Sequence, residues 1–355
     1  MITRLGLCVL LFAGLLQAQG IPLPNNTDIP DLGTRSYCVG KPKVCFQGGL
    51  YQSGSNVMPS DHSAVGTGLA AKVVPINRKI GMISIGMSNA SLEFGNFIQT
   101  YISGNRSVNR DLVVVNAASG GPGPCDFTVA RGLAGPVCND TFNQNAYDYI
   151  RDNFLTPGGL SESQVEVIWY KFAVPIPVGG WIQPPPPLPA PNSNAYIYEG
   201  FIGGTMRAIK ARYKNIKMVF LSSRIYGGYN QASKSPEPYA YEGGFSTQFA
   251  INAQIVQADQ GGSVDRVAGN LAYTVAPWMA WGPYIWSNGE VPNKYNGVYW
   301  CAGLLSPARP CDAIEDDYQA DLLHPNSVGA AKVAEQMWNF FSTSEFTQSW
   351  FLANK

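Results

Sequence analysis

Short, nearly unbroken apolar runs constrain this chain more than any other feature: LVVVNAA (112–118), VEVIWYKFAV (165–174) and IKMVFLSSRIY (216–226). They lack the in–out alternation of a strand with one wet face. Such runs read as strands buried on both sides, the character of a parallel sheet covered by helices. Residues 79–85 form another run of this kind, and LAYTVAPWMAW (271–281) is a candidate fifth strand. Helical patterns fall between them, from Asn89 to about Tyr101 and over 143–154, 198–213 and 244–259. An amphipathic stretch, SVGAAKVAEQMWNFF (327–341), closes the chain. This alternation predicts an α/β fold whose function sits at the carboxyl ends of the strands. No internal repeat and no Gly-x-Gly-x-x-Gly motif is present, so a dinucleotide site has no support.

The chain opens with MITRLGLCVLLFAGLLQAQG, in which one Arg precedes an apolar run and then small and polar residues. That is the form of a secretory signal peptide, with cleavage expected near Ala18 and no membrane span left in the mature form. Residues 19–70 read as an irregular N-terminal extension and residues 71–345 as the main domain. Six cysteines follow the leader and fall into close pairs: Cys38 with Cys45, Cys125 with Cys138, and Cys301 with Cys311. Local disulfides in an oxidising compartment, secreted or periplasmic, fit that spacing. No Cys-x-x-Cys occurs and the chain has only two histidines, so neither a metal centre nor a cofactor is expected. Lys plus Arg equals Asp plus Glu, which argues against a nucleic-acid partner. QPPPPLPAP (183–191) reads as a stiff surface loop.

The stretch ISIGMSNASLEFGNF (83–97) puts Ser88 two residues beyond the glycine that ends a strand run, at the start of a helix. A serine there is either a helix-start residue or a nucleophile held at the sheet edge. A nucleophilic serine needs a base, usually a histidine oriented by a carboxylate. His62 lies in the N-terminal extension. His324 lies in ADLLHPNSVGAAKVAEQ, three residues after Asp321 and just before the closing helix. On a tight turn, that spacing brings a carboxylate to the imidazole Nδ1.

The order of a strand-end serine, a glycine after the second strand, a polar residue after the third and Asp-x-x-His-Pro near the end resembles the SGNH (GDSL-like) hydrolase family. The motifs that carry it are IGMSNAS, VVVNAASGG and DLLHPNSVGAAKVA, within residues 79–341. The resemblance implies a flavodoxin-like three-layer α/β/α fold and a serine esterase that needs no cofactor. It makes Ser88 the nucleophile, His324 the general base and Asp321 its orienting carboxylate. The backbone N–H groups of Ser88 and Gly121 would form an oxyanion hole, with Gly120 as the neighbouring alternative. Two positions depart from the family pattern. Met87 stands where an aspartate is usual, and Lys171 is the best candidate where an asparagine helps the oxyanion hole. Lys171 is either a fixed cation for the oxyanion or half of an ion pair beneath the site. Asn89 offers a side-chain amide instead.

The expected partner is a small-molecule or carbohydrate ester. The segment 277–305 crowds Trp278, Trp281, Tyr284, Trp286, Tyr299 and Trp300 together, either as a wall suited to a sugar ring or as a satellite core. Arg224 and Tyr226 follow the fourth strand and face the same end of the sheet. The scaffold also serves acyltransferases and lipases, or a binding module that has lost catalysis.

Overall fold

All five apolar runs contribute strands to one sheet. The computed structural model describes residues 27–129, 144–174, 185–230, 234–303, 311–312 and 314–353. The elements in chain order are α1 (Ile29–Leu32), a hairpin of β1 (Ser36–Val39) and β2 (Val44–Gln47), α2 (Ser60–Ala70), β3 (Ile80–Gly86), α3 (Ser88–Phe97), β4 (Leu112–Val115), α4 (Ala146–Ile150), β5 (Val165–Lys171), α5 (Asn194–Arg212), β6 (Met218–Leu221), α6 (Tyr239–Gln254), β7 (Trp278–Trp281), α7 (Ser327–Thr343) and α8 (Gln348–Phe351). The central sheet runs β4-β3-β5-β6-β7 and every pairing in it is parallel.

Side-chain direction explains the layers. Trp169 and Tyr170 are neighbours on β5, so they point to opposite faces. Trp169 stacks on Phe94 of α3, with ring centroids 5.5 Å apart. Phe97 of α3 meets Phe341 of α7 at 5.9 Å, so α3 and α7 share that face. Tyr170 meets Phe172, whose carbonyl accepts from Tyr198 of α5, and α5 packs on α6. Helices therefore cover both faces, giving a three-layer α/β/α arrangement. Every residue of β3, β5, β6 and β7 is buried, as their unbroken apolar character requires. Each such large side chain contributes about 1.5–3 kcal/mol when fully removed from water.

The chain passes from β3 to β4 on one side and then to β5 on the other. β3 is thus the point where the sheet order reverses, and a crevice opens beyond its carboxyl end. Gly86 closes β3 under the first turn of α3. A Cβ there would stand 2.4 Å from Ala90 Cβ and 2.5 Å from the Lys171 carbonyl, so only glycine lets the helix start this close to the sheet.

Residues 27–70, expected to be irregular, contain α1, the hairpin and the eleven-residue α2. Tertiary packing builds that helix. Gly66 lies against the Trp278 ring, and Trp278 Nε1 donates to the His62 carbonyl at 3.0 Å. The fourth and fifth strands are shorter than their apolar runs, which continue into loops. The Cys38–Cys45 and Cys301–Cys311 disulfides form as the spacing suggested. Cys125 is also disulfide-bonded, but its expected partner Cys138 lies outside the described residues, as does the leader 1–18. No described helix is long and apolar enough to cross a membrane.

Candidate active site

Ser88 is the first residue of α3, at the mouth of the crevice. Met87 before it is extended and packs against the core. The first N–H groups of a helix lack intrahelical acceptors, so those of this ten-residue helix face the crevice with the positive end of its dipole.

The loop after β4 is fixed against β3 by one buried hydroxyl. Ser84 Oγ accepts from the backbone N–H of Ala117 at 3.0 Å and Ala118 at 3.1 Å, and donates to Asn116 Oδ1 at 2.8 Å. Asn116 Nδ2 donates to the Ser91 carbonyl at 2.8 Å, and Ser119 N–H donates to the Gly86 carbonyl at 3.1 Å. This network delivers Gly120 to Ser88: a Cβ on Gly120 would lie 3.9 Å from Ser88 Cβ. Gly121 follows with φ of +117°, a conformation that favours glycine, and lines the same cavity.

The histidine arrives on a loop built by short polar side chains. Asn326 caps α7 by accepting from Val328 N–H at 2.8 Å and Gly329 N–H at 3.1 Å, while its amide donates to the carbonyls of Asp316 and Tyr318. Asp321 Oδ1 accepts from the backbone N–H of Leu323 and of His324, both at 3.0 Å, turning the chain back on itself. Its other oxygen, Oδ2, lies 2.5 Å from His324 Nδ1. On the far side of the ring, His324 Nε2 is 2.8 Å from Ser88 Oγ. Partial burial raises the Asp321 pKa, but the hydrogen bonds from His324 N–H, the His324 ring and Leu323 N–H outweigh it and hold the carboxyl below its ordinary value. An ionised Asp321 accepts only. In the neutral ring Nδ1 therefore carries the hydrogen, and Nε2 is left to accept from Ser88.

His62 takes no part. It is fully buried in α2, 2.7 Å from Asp259 through Nδ1 and 2.7 Å from the Met279 carbonyl through Nε2.

Asn89 lines the same cavity as Ser88, and one of its two amide hydrogens goes to the Leu323 carbonyl at 3.1 Å, which ties α3 to the histidine loop. One sequence expectation needs correction. Lys171 forms the ion pair rather than an open cation. Its ammonium contacts both oxygens of Glu93, and the two side chains are almost wholly buried. Burial pushes the Glu93 carboxyl up and pulls the Lys171 ammonium down, each against the attraction of its partner. Sequence reasoning passed over Glu93. Its signal was legible, because Ala90, Glu93, Phe94 and Phe97 form the buried stripe of α3, where a lone carboxylate demands a cation.

The aromatic-wall reading of 277–305 also falls. Trp278, Trp281, Tyr284, Trp286 and Trp300 are at most 3% exposed, and Tyr299 lies beneath the Lys332 ammonium. The cavity at Ser88 is walled by other residues, among them Phe172, Val174, Phe201 and Leu323, and holds about 550 Å³. Arg224 also lines it; Tyr226 does not, being packed against Tyr229 and Trp286. Among the described residues, the only grouping of metal-ligating types is Cys301, Cys311 and Glu315, and the two sulfurs there are joined to each other.

No protein-family model matches the sequence, and no curated protein is significantly similar to it.

Proposed function

We propose that this protein is a secreted carboxylic ester hydrolase of the SGNH type, working through Ser88, His324 and Asp321. The single observation that carries the reading is the continuous hydrogen-bonded chain Ser88 Oγ–His324 Nε2 (2.8 Å) and His324 Nδ1–Asp321 Oδ2 (2.5 Å), in which residues 236 apart in sequence meet at the open end of the sheet. Two disulfides fit an extracellular setting.

In the mechanism, His324 Nε2 takes the Ser88 proton as Oγ attacks the ester carbonyl carbon. Negative charge develops on the carbonyl oxygen at the start of α3. The Ser88 N–H and that of Gly121, or of its neighbour Gly120, would receive it. One such donor is worth about 3 kcal/mol of barrier. The tetrahedral intermediate collapses, the C–O bond to the alcohol breaks, and the alcohol leaves with the proton held by His324. Water then attacks the acyl-serine, again giving its proton to His324, and the acid departs as Ser88 regains its hydrogen. Asp321 holds the ring and stabilises the imidazolium formed in each half.

Ser88→Ala and His324→Ala should each lower hydrolysis of p-nitrophenyl acetate by roughly a thousandfold or more while leaving the circular dichroism and melting temperature near those of the parent. Full activity in Ser88→Ala would remove the nucleophile assignment.

A further inference from the structure

The cavity beside Ser88 is bordered by an arginine with two unpaired nitrogens. Arg224 follows β6 and is 8% exposed, yet it lines this cavity. Its Nη1 donates to the Lys234 carbonyl at 3.0 Å. Its Nε and Nη2 are buried and have no hydrogen-bond partner among the described residues. Those two nitrogens form one side of the guanidinium plane, the side that meets both oxygens of a carboxylate in parallel hydrogen bonds.

Surrounding charge does not satisfy this edge. Glu93 is engaged by Lys171. Glu237 accepts from Gly227 N–H at 2.9 Å, Trp286 Nε1 at 2.8 Å and Tyr241 N–H at 2.9 Å. Lys171, Arg224 and Lys234 all line the cavity, and among the described residues no carboxylate does. Glu93 and Glu237 attract the Arg224 charge from a distance, but neither of them hydrogen-bonds its Nε or Nη2. A buried donor pair without acceptors is costly in a folded protein and calls for an occupant.

We propose that Arg224 is a specificity-determining residue that receives a carboxylate carried by the ester substrate, so that the enzyme prefers monoanionic esters over neutral ones of the same size. The inference rests on the hydrolase reading for the word substrate, but the anion site stands on its own geometry. Phe172, Val174 and Phe201 supply apolar surface in the same cavity. A ligand with a carboxylate at one end, an apolar middle and an ester at the other would fit these groups together.

The test pairs charged with neutral esters. Ethyl hydrogen glutarate against ethyl valerate places the carboxylate on the acyl side; 4-acetoxybenzoate against 4-tolyl acetate places it on the alcohol side. The parent protein should favour the charged member of one pair by about tenfold or more in kcat/KM. That ratio should collapse toward unity in Arg224→Gln and recover in part in Arg224→Lys. Calorimetric binding of glutarate and 4-hydroxybenzoate to the parent protein supplies a readout that needs no turnover, and it should weaken about tenfold in Arg224→Gln. Arg224-dependent binding without hydrolysis of any ester would uphold the anion site and sink the hydrolase. Hydrolysis of all four esters without charge preference, together with no binding of either carboxylate to the parent protein, would overturn the proposal and leave the hydrolase standing.

Discussion

Lys171 offers the sharpest separation between a structural and a chemical role. Lys171→Met removes the ammonium and keeps most of the side-chain volume. The Glu93 carboxylate, 0% exposed, is then stranded without its cation. Breaking one side of a buried pair costs about 3–5 kcal/mol, a large part of the roughly 5–15 kcal/mol that stabilises a domain. Glu93 has one escape, which is to take up a proton, and burial already pushes its pKa in that direction. Without Lys171 its folded pKa rises further above the unfolded value. The penalty is therefore smallest below the ordinary carboxyl pKa and grows as pH rises through the neutral range. Urea unfolding of the parent protein, Lys171→Met and the double variant Lys171→Met with Glu93→Leu, each at pH 5 and pH 8, measures this. The single variant should lose more stability at pH 8 than at pH 5, and the double variant should regain most of the loss. If Lys171→Met cost less than about 1 kcal/mol at both pH values while ester hydrolysis vanished, the ion-pair account would fail and an electrostatic role at the oxyanion would replace it.

Two other perturbations follow from the geometry. Asp321→Asn keeps an oxygen for the N–H groups of Leu323 and His324 but turns an amide toward His324 Nδ1, which favours the wrong tautomer; kcat should fall about 10–100-fold with little change in melting temperature, and an unchanged kcat would dismiss Asp321 as the orienting group. Glu199, buried on α5 and repelled by Asp265, has its pKa raised to about 8, first by burial and then by that repulsion. Its favourable contribution is complete below the ordinary carboxyl pKa and gone above about pH 8, so Glu199→Gln should stabilise by up to about 4 kcal/mol at pH 8 and by little at pH 5; equal effects in urea melts at the two pH values would refute the assignment.

Much of the fold and the site was legible in the residues. Unbroken apolar runs marked β3, β4, β5, β6 and β7, since strands buried on both faces have no polar alternation to obscure them. The pairing of Ser88 with His324 and Asp321 was readable because Asp-x-x-His is a local turn and the strand-end serine is a local signal. What failed depended on tertiary placement. Aromatic crowding in 277–305 cannot distinguish a platform from a core, and only the position of Trp278 and Trp281 within β7 settles it. The tie from Asn89 to the Leu323 carbonyl, far along the chain, had no local signal either. The helix Ser60–Ala70 has little apolar periodicity of its own, and contact with Trp278 decides it. Arg224 could be placed at the carboxyl end of the sheet from sequence, but its unpaired guanidinium nitrogens are visible only once its neighbours are known.

Covalent capture by a fluorophosphonate tests the central claim most directly, because phosphonylation requires an activated hydroxyl and reports it regardless of which ester the protein prefers. Peptide mapping of the labelled protein should find a single adduct on Ser88, formed at a rate that drops sharply in His324→Ala. An unlabelled Ser88 in folded protein, or labelling that is indifferent to His324, would contradict it.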